Sequence, residues 1–169
     1  MTDGQIYMDT TLFTSGFRPA IDLGLSVSRI GNKVQNHALR QLSAMLRLEY
    51  VQYNELLKKT RFTAGVSEEI ESRLRPGEVL TQLFTQEPSS PYSAVKELLL
   101  LYAMRRKVLE PLEKPQIERF KNEFEDFARQ DIPSAIESLD ENRELTPELR
   151  KAINGCMTKF IESLPGCAL

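Results

Sequence analysis

A chain of 169 residues has room for one domain, or a small domain with an appendage, and 41% hydrophobic with 27% charged residues argues against wholesale disorder. Lys and Arg total 22 against 24 acids, a net charge of −2, which excludes a global field favouring nucleic acid. Two cysteines, Cys156 and Cys167, and one histidine, His37, exclude a disulfide framework and offer no zinc set, so nucleophilic catalysis would have to run through His37.

In chain order, the first thirty-one residues read as extended structure. Asp3-Gly4 is a turn pair ahead of a short strand over Gln5-Ile6-Tyr7-Met8, and Ser15-Gly16 marks a second turn before Arg18-Pro19. From Leu23 to Val27 apolar residues alternate with small ones, which predicts a strand with one greasy and one bare face. Arg29 stands at its end, before Ile30-Gly31. A guanidinium there can reach a phosphate or carboxylate, since its planar donors match those oxygens. It can equally be a surface arginine in an ordinary salt bridge, a nearly neutral feature. Two strands make no stable sheet alone, so this arm is expected to be the edge of a larger one.

From Asn32 the period becomes helical. Leu39, Leu42, Leu46, Tyr50, Tyr53 and Leu57 form one apolar stripe, with Asn32 or Asn36 as cap and Lys58, Lys59 and Arg61 at the negative end. Phe62 to Gly65 breaks the pattern. Ser67 caps a short acidic-started helix that Pro76-Gly77 is expected to interrupt, and a further helical stretch runs from Val79 to Phe84. Gln86 to Tyr92 is a loop by its prolines and serines.

Ser93 caps the next helix, with Val95, Leu98, Leu99 and Tyr102 inward. Pro115 opens another, carrying the stripe Ile117, Phe120, Phe124 and Phe127. Asp131-Ile132-Pro133 begins a shorter one with Ile136 and Leu139. Thr146-Pro147 is a cap with proline at the first helical position, ahead of Leu149, Ile153, Met157, Phe160 and Leu164. The fold class is therefore mainly α: residues 1–31 form a short β arm and residues 32–169 an amphipathic helical bundle. Aromatic stripes of this kind are core far more often than cofactor boxes. The apolar run Leu98 to Leu101 is far too short to span a bilayer.

None of the eight glycines precedes a lysine, so there is no Walker A loop; G-x-G-x-x-G and HExxH are absent as well. Acid pairs such as Glu68/Glu69 and Asp140/Glu141 fit helix starts and loops. The chain is not expected to catalyse a reaction unaided.

The residues TDGQI from Thr2 to Ile6, Leu12-Phe13, Gly16, Arg18 to Ile21, and Gly24 to Arg29 with Gly31 resemble the alpha subunit of the rotary proton-translocating ATP synthase. A looser likeness continues through Gln35, Leu48-Glu49, Gln52-Tyr53, Phe62 and the helix start from Pro115 to Phe120. The resemblance implies that residues 1–31 are the terminal strands of a nucleotide-binding domain whose P-loop portion lies upstream, and that the helical bundle is the C-terminal domain. It implies that Arg29 is an arginine finger given in trans to the neighbouring beta subunit, stabilising charge on the transferred phosphoryl group. It implies that Arg18, Pro19 and Gln86 edge the adenine side of the alpha subunit's own non-catalytic nucleotide site. Pro88 stands where the family has a second glutamine, and Thr63 to Ser67 replaces the acidic turn near the rotating shaft, with Glu68 and Glu69 beside it.

The implied function is a structural and regulatory part of the catalytic ring that makes and hydrolyses ATP, coupled to proton transport. ATP or ADP with Mg belongs to the full-length subunit, and no cofactor is expected for this stretch by itself. Implied partners are the beta subunit and the central gamma shaft, at the cytoplasmic face of a bacterial inner membrane, or the matrix or stroma side in organelles. The alternative is a stand-alone helical interaction module derived from the same ancestor.

Overall fold

The computed structural model describes residues 3–60, 68–142 and 144–166. The expected break at Phe62 to Gly65, the Ser67 cap, and Arg61, Thr2 and Cys167 lie outside them. The polypeptide divides into two compact units, Met1–Gln35 with Leu42–Pro91, and Asn36–Gln41 with Tyr92–Leu169. The architecture is mainly α with a short two-stranded sheet near the start.

In the first unit, β1 (Gly4–Gln5) pairs antiparallel with β2 (Val27–Ser28), Gly4 opposite Ser28 and Gln5 opposite Val27. Met8 bridges Ile21 further along. The arm is less extended than its sequence suggests. Asp9 accepts from the Thr11 N–H at 2.6 Å and the Leu12 N–H at 3.0 Å, capping α1 (Thr10–Thr14). Leu23 to Leu25 form a turn instead of strand, because the Asp22 carboxylate accepts from the N–H groups of Gly24 and Leu25 at 2.7 and 3.0 Å. A local side-chain acceptor outcompetes the strand ladder for those donors.

The helical stretch expected from Asn32 is three helices, α2 (Gly31–Val34), α3 (His37–Ser43) and α4 (Leu46–Thr60), and the stripe from Leu39 is divided between the last two, with a turn at Ala44-Met45. Asn36 caps α3, its side chain accepting from the Leu39 N–H at 2.8 Å. Pro76 does not end its helix: α5 runs unbroken from Glu68 to Phe84. A proline inside a helix loses one backbone bond. Leu74 before it and Val79, Leu80 and Leu83 after it are all buried, and α5 packs on α4. Gly77 lies against the Tyr53 ring, where a Cβ would collide with ring carbons.

The second unit is built on α6 (Ala94–Arg105), α7 (Lys114–Asp131), α8 (Pro133–Asn142) and α9 (Pro147–Glu162). The sequence signals hold closely here. Ser93 Oγ accepts from the Lys96 N–H at 2.9 Å, and Thr146 Oγ1 from the Leu149 N–H at 3.2 Å. Gln116 accepts from the Glu113 N–H at 2.7 Å, which satisfies an orphan donor at the start of α7. Leu98 to Ala103 are buried on all sides, so α6 is the core helix of this unit. Phe120 stacks on Phe124 at 4.4 Å between centroids, and Phe160 meets both edge-on at 5.5 Å. Phe127 joins them through Phe160.

Candidate functional site

The arm carries Arg18, Pro19 and Arg29, and its backbone is tied down by hydrogen bonds along its length. The Asp9 N–H donates to Ala20 O and the Asp22 N–H to Tyr7 O, both at 2.9 Å, while the Tyr7 N–H donates to Ser26 Oγ at 3.0 Å. Phe17 is buried and stacks on Tyr50 of α4 at 6.1 Å, which anchors the arm to a helix. Gly4 passes so close to Val27 that a Cβ would strike its carbonyl oxygen. Only glycine permits β1 that approach.

Arg29 follows β2 directly. Its N–H donates to Asp3 O at 3.0 Å, and two residues on the Gly31 N–H donates to Ser28 Oγ at 2.9 Å. The backbone on both sides of Arg29 is therefore held, while the side chain is exposed. Among the described residues the guanidinium has no ion pair or hydrogen bond. It borders a shallow hollow of about 220 Å³ shared with Gly4, Gln5 and Val27. An arginine so placed presents five donors from a fixed root.

Arg18, Pro19 and Gln86 form a second group. The Gln86 N–H donates to Arg18 O at 2.7 Å, which joins the end of α5 to the arm across sixty-eight positions of sequence. The Arg18 guanidinium lies 4.9 Å above the centre of the exposed Phe13 ring, a cation–π contact. The Arg18–Pro19 peptide bond is cis. Gln86, distant in the sequence, is thus a neighbour of Arg18 and Pro19 in space. Ser89, beyond Gln86 and Pro88, has a positive φ of 63° in the exposed loop.

Electrostatics near the arm is local. The Asp9 carboxyl is held below its ordinary range by the N–H groups of Leu12 and Thr11. Two further residues, outside those named from the sequence, shape the arm. Asp22 closes the turn at Gly24-Leu25, and Arg47 of α4 donates from its guanidinium to Gly24 O at 2.6 Å. A carboxylate two residues before a glycine is a recognised turn signal, but Arg47 has no sequence signature. His37 is exposed, and among the described residues there is no group of three or more His, Cys, Asp or Glu able to hold a metal. No helix of the described residues is long and apolar enough to cross a membrane.

Comparison with known proteins bears on this arrangement. The family model of the ATP synthase alpha/beta chain, C-terminal domain, matches residues 35–160, a range that holds Gln86 but not Arg18, Pro19 or Arg29. The protein is 33% identical over 161 residues to ATP synthase subunit alpha of Petrotoga mobilis, covering 95% of its own length and 32% of that relative. The same subunit of Aquifex aeolicus is 33% identical over 160 residues, with 95% and 32% covered. That of Wigglesworthia glossinidia brevipalpis is 34% identical over 142 residues, with 84% and 28% covered. The protein thus spans about a third of the length of these relatives. The matched range takes in most of the sequence, with α3 to α8 and most of α9, and the protein belongs to the family of C-terminal domains of ATP synthase alpha and beta subunits.

Proposed function

We propose that this protein acts as the C-terminal region of an ATP synthase alpha subunit and offers Arg29 to a nucleotide phosphate held by a neighbouring beta subunit. The observation that carries this reading is the state of Arg29: a side chain without a partner among the described residues, rooted in backbone bonded on both sides. The sequence has no phosphate-gripping loop to occupy it. A guanidinium supplied across a subunit boundary stabilises charge developing on the transferred phosphoryl group.

Residues 1–31, in this reading, close a nucleotide-binding domain, and the bundle meets the beta subunit and the gamma shaft. Arg18, Pro19 and Gln86 edge the adenine side of a nucleotide pocket. The support for this is the backbone bond that brings Gln86 to Arg18, which itself lies over Phe13, together with the amide donor and acceptor that a glutamine side chain can offer an adenine edge. ATP or ADP with Mg would bind in the full-length subunit. The assembly would sit at a coupling membrane through other subunits, on the cytoplasmic face in a bacterium, and take part in proton-coupled ATP synthesis.

The test is Arg29→Ala in the complex assembled with beta and gamma subunits. Turnover is expected to fall ~10³-fold or more with assembly and nucleotide binding retained. Normal turnover would overturn the finger role. Failure of the unaltered protein to join a beta subunit would instead favour a free-standing helical module.

A further inference from the structure

We infer that Arg47 is a positioning residue for Arg29, acting together with Asp22 through the peptide groups of Gly24. This rests on the proposed finger role of Arg29.

The geometry is specific. Gly24 is held through both of its backbone polar groups: its N–H donates to Asp22 Oδ1 at 2.7 Å, and its carbonyl accepts from an Arg47 terminal nitrogen at 2.6 Å. The Leu25 N–H shares the same Asp22 oxygen at 3.0 Å, and the Ser26 N–H donates to Asp22 O at 2.9 Å. Ser26 Oγ then receives the Tyr7 N–H, Val27 and Ser28 pair with β1, and the Arg29 N–H reaches Asp3 O. The run is continuous, so each peptide from Gly24 to Arg29 inherits its place from the one before. Arg47 is the point where that run is fastened to a helix.

The fastening matters because the sheet itself is small. Two strands of two residues cannot hold their own orientation in water. Helix α4 can, since Leu46 and Tyr50 are buried on either side of Arg47 and α4 packs on α5. A charge-assisted bond to the turn carbonyl transfers that rigidity to the arm. Gly24 also passes between Asp22 and Val51, one turn further along α4; a Cβ there would lie 3.1 Å from Asp22 Oδ1 and 3.4 Å from Val51 Cγ2. A displacement of about 1 Å in a positioned catalytic group can cost about 10²-fold in rate. Losing the tie should therefore lower kcat without altering how tightly substrate binds.

The experiment compares Arg47→Met, which keeps the stem and removes the donors, with Arg47→Lys, Arg29→Ala and the double variant Arg29→Ala/Arg47→Met. All are assembled with beta and gamma subunits. Arg47→Met is expected to lower kcat about tenfold or more at unchanged KM, with Arg47→Lys recovering part of the loss because an ammonium still donates. In the isolated protein, Arg47→Met should speed amide exchange at Gly24 and Leu25. The double variant should be no slower than Arg29→Ala, as expected if Arg47 works only through Arg29.

If Arg29→Ala slows turnover but Arg47→Met leaves it normal, the positioning role is overturned and the finger role stands. An additive double variant also overturns it, since Arg47 would then act independently. Normal turnover by Arg29→Ala removes both.

Discussion

Cys156 is buried on α9 beside the ion pair of Lys159 with Asp131, whose amine and carboxylate meet at 2.7 Å. Burial, the Asp131 charge and a hydrogen bond to Asp131 push its thiol up to about 12, from an ordinary value of 9.0. The thiolate is the reactive form, so this group is inert at neutral pH. The sign for stability follows from linkage. An acid whose folded pKa is raised keeps its proton while the unfolded state loses it, so its contribution is intact below pH 9.0 and is lost as pH rises toward about 12. Chemical unfolding across that window should show a steeper loss of stability in the native protein than in Cys156→Ala. Equal slopes would mean that burial and Asp131 do not raise the thiol. Alkylation of Cys156 at about pH 8, still below the free thiol's usual range, should likewise require unfolding.

Elements show where sequence and structure part company, and the reasons are physical. The second unit was largely legible, because Ser93 and Thr146 cap where their side chains can reach orphan N–H groups, and the stripe through Phe120 and Phe124 has the helical period. In the first unit, alternation at Leu23 to Val27 looked like a strand, but only Val27 and Ser28 are one, since Asp22 captures the preceding amides. Proline followed by glycine at 76–77 looked like a stop. Tertiary packing overrode the propensity: Gly77 has no Cβ because the Tyr53 ring of α4 occupies that place, and Thr81 Oγ1 donates to the Gly77 carbonyl at 2.8 Å. Of the candidate site residues, Arg29 is visible as an arginine ending an apparent strand, whereas the bond from Arg47 to the Gly24 carbonyl depends on a contact between distant segments that no local pattern encodes. Gly77→Ala tests the element directly. Helix propensity alone favours alanine by roughly 0.8–1.0 kcal/mol. Overpacking against Tyr53 should outweigh it and destabilise the protein by about 1–3 kcal/mol, read as a lower denaturation midpoint. The companion Tyr53→Leu/Gly77→Ala pair should recover much of the loss, and a stabilised Gly77→Ala would show that α4 and α5 do not meet this closely.

For the molecule taken whole, apolar surface is unevenly spread. Among the described residues the large exposed hydrophobic side chains lie between Ile6 and Leu48, with Ile6, Met8, Leu25 and Val34 at 73%, 68%, 61% and 75%. Scattered exposed apolar residues are ordinary, but a concentration around a short, weakly paired sheet and the helices next to it costs stability unless something covers it. The relatives are about three times as long, and the proposed role makes these residues the closing edge of a larger domain. Backbone protection should follow the same division. Amides of β1 and β2 have only two residues per strand to protect them, whereas those of α6, α7 and α9 belong to helices with buried faces. Hydrogen exchange on the isolated protein should therefore be fast from residue 4 to residue 30 and slow in those three helices. Joining it to the preceding domain of an alpha subunit should slow the arm and leave the helices as they were. Equally slow exchange of arm and helices in the isolated protein would show that the arm needs no cover, and would remove the argument that residues 1–31 complete a domain built elsewhere.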